Sequence, residues 1–275
     1  MKLEFHGGQA VEPKDAATIV LVRDEGGRLQ VFCVERSKQS KFMGGALVFP
    51  GGKVDASDSD PRWDALADIR VDVPARAFWI AAARETFEEA GLLLARDPGD
   101  ARGMVAPERT HDIVERYQKP LNAGEVSFAD VIEREGLVLA TDQMVHFAHW
   151  ITPVHMAKRF DTQFLLVAAP MEQAGAHDGS ESVEGIWVRP QQALDDAEAG
   201  RRTLVNATRM NLQKLARSGS VAEAVKAAQS SRVVTVLPQV QTLPDGSRHI
   251  RIPEEAGYGG SEVHVPAHIK PSMPG

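Results

Sequence analysis

Glu85, Glu88 and Glu89 stand at i, i+3 and i+4 within Arg84-Glu85-Thr86-Phe87-Glu88-Glu89-Ala90-Gly91-Leu92. On a helix these positions share one face. Carboxylates crowded on one face repel each other, so stability alone does not favour the pattern. A divalent cation resolves the repulsion, and hard oxygen donors suit Mg²⁺ or Mn²⁺. Upstream lies Phe49-Pro50-Gly51-Gly52-Lys53, a turn whose glycines let the backbone approach a neighbour closely. The Gly51 carbonyl is therefore a candidate further ligand. The competing reading is a solvated acidic helix face with no chemistry.

The same residues carry a family resemblance. Gly52, Asp58, Arg84, Glu85, Glu88, Glu89, Gly91 and Leu92 resemble the Nudix box, in which Gly is followed after five residues by Glu. Seven residues later that motif continues Arg-Glu-x-x-Glu-Glu-x-Gly and an apolar residue. Here Asp58 takes the first Glu position, and 25 residues separate it from Arg84. An insertion thus sits inside the box, as in a known subgroup of the family. Just upstream, Arg36-Ser37, Lys41, Gly45 and Phe49-Pro50-Gly51-Gly52 match in every spacing the motif of Nudix enzymes that cleave coenzyme A. Lys41 stands where that motif has Arg, which keeps the charge and loses the bidentate fork.

The resemblance implies an α/β (α+β) fold: a mixed sheet flanked by helices in an αβα sandwich, with helical insertions and a C-terminal extension. It implies metal-dependent hydrolysis of a pyrophosphate bond in coenzyme A or an acyl-coenzyme A. ADP-ribose or NADH is the alternative substrate, and a non-catalytic nucleotide-sensing module the alternative role. Glu88 and Glu89 are implied as the metal-ligand core. Glu85 is implied as a ligand or as the group that orients water, and Arg84 as the residue that orients a box carboxylate. A simple i,i+4 surface pair is the other reading of Arg84. The family usually draws a further carboxylate from a loop outside the box; Glu181 is preferred here over Glu184. Arg36, Lys41 and Lys53 lie on the approach to the Pro-Gly-Gly turn and are candidates to contact substrate phosphates; the competing reading of each is a solvated surface cation.

Around these residues the patterning outlines one elaborated domain over 1–275, with its core at about 14–230 and insertions at about 56–76 and 97–140. Apolar runs mark strands at Ala16–Val22 and Leu29–Glu35, joined at Gly26-Gly27, and at Ala46–Phe49. A short helix is expected over Trp63–Ile69 and a long one over Ala77–Ala95. Ala83, Phe87, Ala90 and Leu94 form a stripe on that helix, offset from the acids, so it packs on a sheet while its glutamates face a cleft. Helices follow near 108–118 and 127–135, the latter capped by Ser127. Strands are expected at Val145–Thr152, Gln163–Ala169 and Val183–Val188. Helices are expected from Pro190, over Leu204–Arg217 and over Val221–Gln229. A turn at Pro244-Asp245-Gly246 predicts a hairpin in the 231–275 extension.

Composition narrows the partners. With 31 Lys and Arg against 38 Asp and Glu, the formal charge is −7, which opposes a nucleic-acid surface. It leaves room for a small anionic nucleotide whose charge a metal offsets. The amino terminus has no apolar signal core, no run approaches a membrane span, and the carboxyl terminus is not a Ser-Lys-Leu address. A cytoplasmic location is the expectation, with the oligomeric state open between monomer and homodimer. Cys33, the single cysteine, reads as a small core side chain. Phe160 reads as a core aromatic, with adenine stacking as the alternative. His146 and His149, three apart, fall on opposite faces of a regular strand, which opposes a histidine metal cluster.

Overall fold

The computed structural model describes residues 11–35, 45–68, 73–100, 103–170 and 185–266. Its first strand, β1 (Lys14–Glu25), turns at Gly26 and Gly27 into β2 (Arg28–Glu35). Both glycines have positive φ, 58° and 71°, which a tight two-residue hairpin requires of its central positions. Then come β3 (Ala46–Val48), β4 (Gly51–Lys53), helix α1 (Trp63–Leu66) and helix α2 (Val73–Ala90). The next stretch holds β5 (Ala95–Arg96), α3 (Pro107–Asn122), α4 (Phe128–Arg134) and β6 (Val138–Leu139). Strands β7 (Val145–Ile151), β8 (Phe160–Ala168) and β9 (Gly185–Val188) follow. After them come α5 (Pro190–Glu198), β10 (Thr203–Leu204), α6 (Asn206–Leu215) and α7 (Val221–Ser230). The chain closes with β11 (Thr235–Val236), β12 (Gln239–Thr242), β13 (Arg248–Arg251) and β14 (Glu262–Val265).

Among the described residues nine strands form one mixed sheet in the order β10-β3-β2-β1-β8-β7-β11, with β4 added to β1 and β9 to β2. The β1–β8 pair is parallel, and β1–β2 and β7–β8 are antiparallel. Both faces are covered, so the central strands read as near-continuous apolar runs. Ile19 and Leu21 of β1, Phe32 and Val34 of β2, and Leu165 and Val167 of β8 point into a core shared with α2, α3 and α4. Val20, Val22, Val31, Cys33, Phe164 and Leu166 point the other way, into a core built with α5, α6, α7 and the C-terminal strands. This is the helix–sheet–helix layering expected from the sequence. Cys33 is fully buried, and burial pushes its thiol pKa up, away from reactivity. No described helix is long and apolar enough to cross a membrane.

The C-terminal segment is a three-stranded antiparallel sheet rather than a two-stranded hairpin. Its anchor is Tyr258, whose hydroxyl accepts from Trp150 Nε1 at 2.7 Å and donates to Asn211 Oδ1 at 2.8 Å.

The elements differ from expectation in five places. α2 starts at Val73 and stops at Ala90, because Gly91 adopts φ 61° and terminates it in the left-handed region. Leu94, expected on its apolar stripe, instead lies beyond the helix end. α1 ends at Leu66, and Leu204 lies in a strand that pairs with β3 rather than in a helix. Strand β8 begins at Phe160, before the expected Gln163. Most informative is β7. A bulge between His146 and Ala148 leaves His146 opposite Leu165 and His149 opposite Gln163. An extra residue in one strand reverses the alternation, so the two histidines share one face. His146 Nε2 lies 2.7 Å from Gln163 Oε1, its ring meets Trp79 of α2 edge-on, and His149 Nε2 contacts Asp161.

Burial, with the nearby His149 and Lys214 charges, holds the His146 pKa below its usual value of 6.5. A histidine kept neutral binds fewer protons folded than unfolded, so its contribution to stability is present above that value and is lost as pH falls through it. Urea unfolding at pH 7.5 and 5.5 should show a smaller acid-side loss of stability in His146→Gln than in wild type; parallel pH curves would refute this assignment.

Candidate active site

Arg84, Glu85, Glu88 and Glu89 occupy the last two turns of α2. The helix lies against β1 and β4 because its small residues, Ala81, Ala82 and Ala83, are buried on the sheet. Pairing of β4 with β1, Gly51 opposite Thr18 and Gly52 opposite Ala17, fixes the Pro-Gly-Gly turn beside the acids. The Gly51 amide donates to Glu89 Oε2 at 3.1 Å. A Cβ at Gly52 would collide with the Glu85 carboxylate, and one at Gly51 with the backbone of Ala17 and Thr18. Glycine is thus required at both positions by close approach. The insertion between Gly52 and Arg84 loops away, and the two halves of the motif still meet.

Arg84 is the hub. It is 4% exposed and makes a bidentate pair with Asp58, itself 1% exposed, at 2.9 and 3.0 Å. Its Nη1 donates to Glu85 Oε1 and to Glu88 Oε2, each at 2.9 Å, and its Nη2 to the Lys53 carbonyl at 2.9 Å. The surface-pair reading of Arg84 is therefore wrong, because this guanidinium is buried and fully engaged. Asp58 is held in turn by the Asp55 amide at 2.8 Å. Its position in the motif was legible in the sequence; its partnership across the insertion was not.

The second insertion braces the same helix. Gln118 of α3 donates from Nε2 to the carbonyls of Phe87 and Glu88, both at 3.0 Å. These carbonyls belong to the last turn of α2, where intrahelical donors run out. Arg62, beside α1, donates to Asp130 and Glu133 of α4 at 2.7 and 3.1 Å, and Phe128 packs on both Trp63 and Phe87. No local pattern marks Gln118 for this role.

Burial raises the pKa of Glu85, with Arg84 pulling the other way. Glu88 is pushed up to about 7 by burial; Arg84 opposes this and the Glu85 charge adds to it. One guanidinium faces the three carboxylates of Asp58, Glu85 and Glu88, so negative charge is under-compensated. Among the described residues no group of three His, Cys, Asp or Glu side chains is drawn together as a formed metal cluster. Arg84 holds one oxygen each of Glu85 and Glu88. The donor set is nevertheless all hard oxygen and short of positive charge, which fits Mg²⁺ or Mn²⁺.

A cleft of about 590 Å³ opens onto Glu85, Glu89, Gly51 and Gly52. Phe160 lines it, half-buried, rather than filling the core, and Lys53 stands at its edge. On its other side are Val205, Ala207 and Thr208 at the start of α6. Neither Thr208 nor α6 carried any sequence signal for the site. Arg36, Lys41, Glu181 and Glu184 lie outside the described residues.

Replacing Asp58 by Asn leaves the buried Arg84 short of its principal counter-charge. Urea denaturation should show a loss of about 3 kcal/mol, as expected for breaking a buried pair. Asp55, 62% exposed and 3.8 Å from Arg84, should lose less than about 1 kcal/mol on the same change. Equal losses at the two positions would contradict the hub.

Comparison with known proteins agrees with this geometry. Residues 69–205 match the model of the NUDT19 Nudix domain. The chain is 31% identical over 191 residues to putative nudix hydrolase 7 of Caenorhabditis elegans, covering 70% of this chain and 56% of that protein. It is 27% identical to the acyl-coenzyme A diphosphatase NUDT19 of Gallus gallus, over 66% of this chain and 62% of that one. The chain thus spans less than two thirds of the length of these relatives. A crystal structure of a NUDIX hydrolase from Alicyclobacillus acidocaldarius superposes with TM-score 0.61 at 25% identity, covering 78% of this chain and 96% of that one. A glycine turn seated on the glutamate face of a helix, on this sheet and beside these matches, has one reading: the chain belongs to the Nudix hydrolase family.

Proposed function

We propose that the chain hydrolyses a pyrophosphate bond in coenzyme A or an acyl-coenzyme A, in a reaction dependent on Mg²⁺ or Mn²⁺. The observation that carries the reading is the seating of Gly51-Gly52 against Glu85 and Glu89 at the floor of an open cleft. Support for the substrate comes from the Arg36-to-Gly52 motif and from the named activity of the Gallus gallus relative.

Glu88 and Glu89, with Glu85 and the Gly51 carbonyl, would hold the ion. When bound, it neutralises phosphoryl oxygens and lowers the pKa of the attacking water. Arg84 fixes the rotamers of Glu85 and Glu88, so the carboxylates are oriented before substrate arrives. Glu85, at 14% side-chain exposure, is shielded yet open to the cleft, which suits it to orient the water. Glu181 is the proposed distal carboxylate. Lys53 at the cleft edge, with Arg36 and Lys41 in the upstream motif, would meet phosphates beyond the scissile bond. Phe160, which lines the cleft, is the aromatic proposed to stack on the base.

Steady-state assays on coenzyme A, acyl-coenzyme A, ADP-ribose, NADH and diadenosine polyphosphates test the reading. The expected products from coenzyme A are 3′,5′-ADP and 4′-phosphopantetheine. Preference for ADP-ribose or NADH would overturn the substrate and leave the family.

Two further outcomes are expected. Glu88→Gln removes one charged donor without changing shape, so kcat should fall by about two orders of magnitude, roughly 3 kcal/mol. Full activity in that variant, or in wild type with excess chelator, would sink the metal assignment. Dephospho-coenzyme A should also be a poorer substrate than coenzyme A, by about 1.5–3 kcal/mol in kcat/KM if one charge-assisted hydrogen bond is lost. Equal efficiency on the two would exclude a 3′-phosphate contact.

A further inference from the structure

The cleft is chemically lopsided. Among the described residues that line it, Glu85 and Glu89 bring negative charge and Lys53 is the one fixed positive charge. A substrate with several phosphates needs positive potential away from the acids, and the wall that offers it is the start of α6. Val205 occupies the N-cap of this helix and gives no side-chain hydrogen bond. Valine is among the poorest N-caps, because only a short polar side chain satisfies the free amides of the first turn. The first helical bond is Arg209 N–H to the Val205 carbonyl, at 2.8 Å. No acceptor among the described residues takes the amides of Asn206, Ala207 or Thr208. Val205, Ala207 and Thr208 all line the cleft.

A second observation points the same way. Thr208 is 3% exposed, yet no described residue hydrogen-bonds its hydroxyl. A threonine inside a helix usually turns that group onto the carbonyl four residues back, as Thr86 does to Ala82 at 2.6 Å. Thr208 does not, and the residue lines the cleft. Val205, Ala207, Val48 and Phe49 on this side of the cleft are apolar, so the hydroxyl and the amides are left to water or to a ligand that displaces it. Three free amides at the positive end of a helix, with a hydroxyl beside them, suit a phosphate group.

We propose that the first turn of α6, with the Thr208 hydroxyl, is a second anion subsite of the cleft. It binds a phosphate monoester of the substrate remote from the scissile pyrophosphate. The assignment rests on the pyrophosphatase reading for its place in catalysis, but the subsite binds phosphate whether or not turnover occurs. On coenzyme A the group of that chemistry is the 3′-phosphate.

Calorimetric titration of metal-free protein with 3′,5′-ADP and with 5′-AMP tests the subsite without catalysis. Thr208→Val keeps the shape and removes the hydroxyl. Asn206→Pro removes one amide at a position where proline suits a helix, and Val205, at φ −75° and ψ 153°, already has the backbone a following proline needs. Each variant should weaken 3′,5′-ADP roughly five- to tenfold and leave 5′-AMP within about twofold, with unchanged circular dichroism. Should one variant fail to fold, the other decides alone. Wild-type affinity for 3′,5′-ADP in a folded variant, or equal weakening of both ligands, would overturn the subsite. Hydrolysis assays separate the two readings. A wild type that cleaves coenzyme A, with variants that keep its full preference over the dephospho form, rejects the subsite alone. A wild type that cleaves no pyrophosphate rejects the enzymatic reading, while selective weakening of 3′,5′-ADP binding still upholds the subsite.

Discussion

The structure turns on one buried guanidinium. Arg84 joins Asp58, Glu85, Glu88 and the Lys53 carbonyl through hydrogen bonds of 2.9 to 3.0 Å. These contacts come from three separate stretches of chain, so the geometry of the acidic face depends on all of them. Burying a charge is costly unless it is paired and its donors are satisfied. Arg84 meets both conditions only if the insertion after Gly52 returns Asp58 to the helix. Burial works against its charge, but the hydrogen bonds and charges of Asp58, with Glu85 and Glu88, outweigh it. The same arrangement leaves the acids with more negative charge than one cation offsets; at Glu88 burial pushes the pKa up to about 7, and the neighbouring Glu85 charge adds to that push.

The insertions take their meaning from this hub. Neither breaks the acidic end of the helix, and each contributes contacts to it. The first delivers Asp58 and the indole of Trp63, whose Nε1 donates to the Ser57 carbonyl at 2.9 Å. The second delivers Gln118 to the open end of α2 and Phe128 to the ring of Phe87. Arg62 ties the two insertions together through Asp130 and Glu133. Side chains that orient catalytic groups need rotamers locked by packing and hydrogen bonds, and here the locking residues come largely from the inserted segments.

How much of this was legible depended on how local the deciding interaction is. The acidic face, the glycine turn and the Ser127 cap, whose hydroxyl accepts from the Asp130 amide at 3.1 Å, follow from periodicity and spacing within a few residues. The end of α2 has a local signal too: Gly91 outweighs the apolar run Leu92–Leu94, because a residue at φ 61° cannot continue a helix. The faces of His146 and His149 were not legible, since a bulge is set by how β7 pairs with β8 and leaves no mark in the strand itself. The far wall of the cleft was least legible of all. Phe160 and Thr208 reach it only because β8 runs parallel to β1 and β10 returns to β3, a matter of topology rather than pattern.

That topology also explains why the two walls of the cleft differ in polarity. The acids sit near the C-terminal end of α2, where the helix dipole is negative and adds to their mutual repulsion. α6 presents its N-terminal end, where amides and dipole are positive. A single cleft therefore has an end that calls for a cation and a wall that calls for an anion, before any ligand enters. A pyrophosphate held at one and a phosphate held at the other would be aligned by backbone and helix ends more than by mobile side chains. Helix ends keep their direction as the protein fluctuates, whereas a lysine such as the exposed Lys53 loses rotamer freedom each time it is used. On the proposed reading, orientation in this cleft would be carried mainly by the fold, and Lys53 would add attraction rather than geometry.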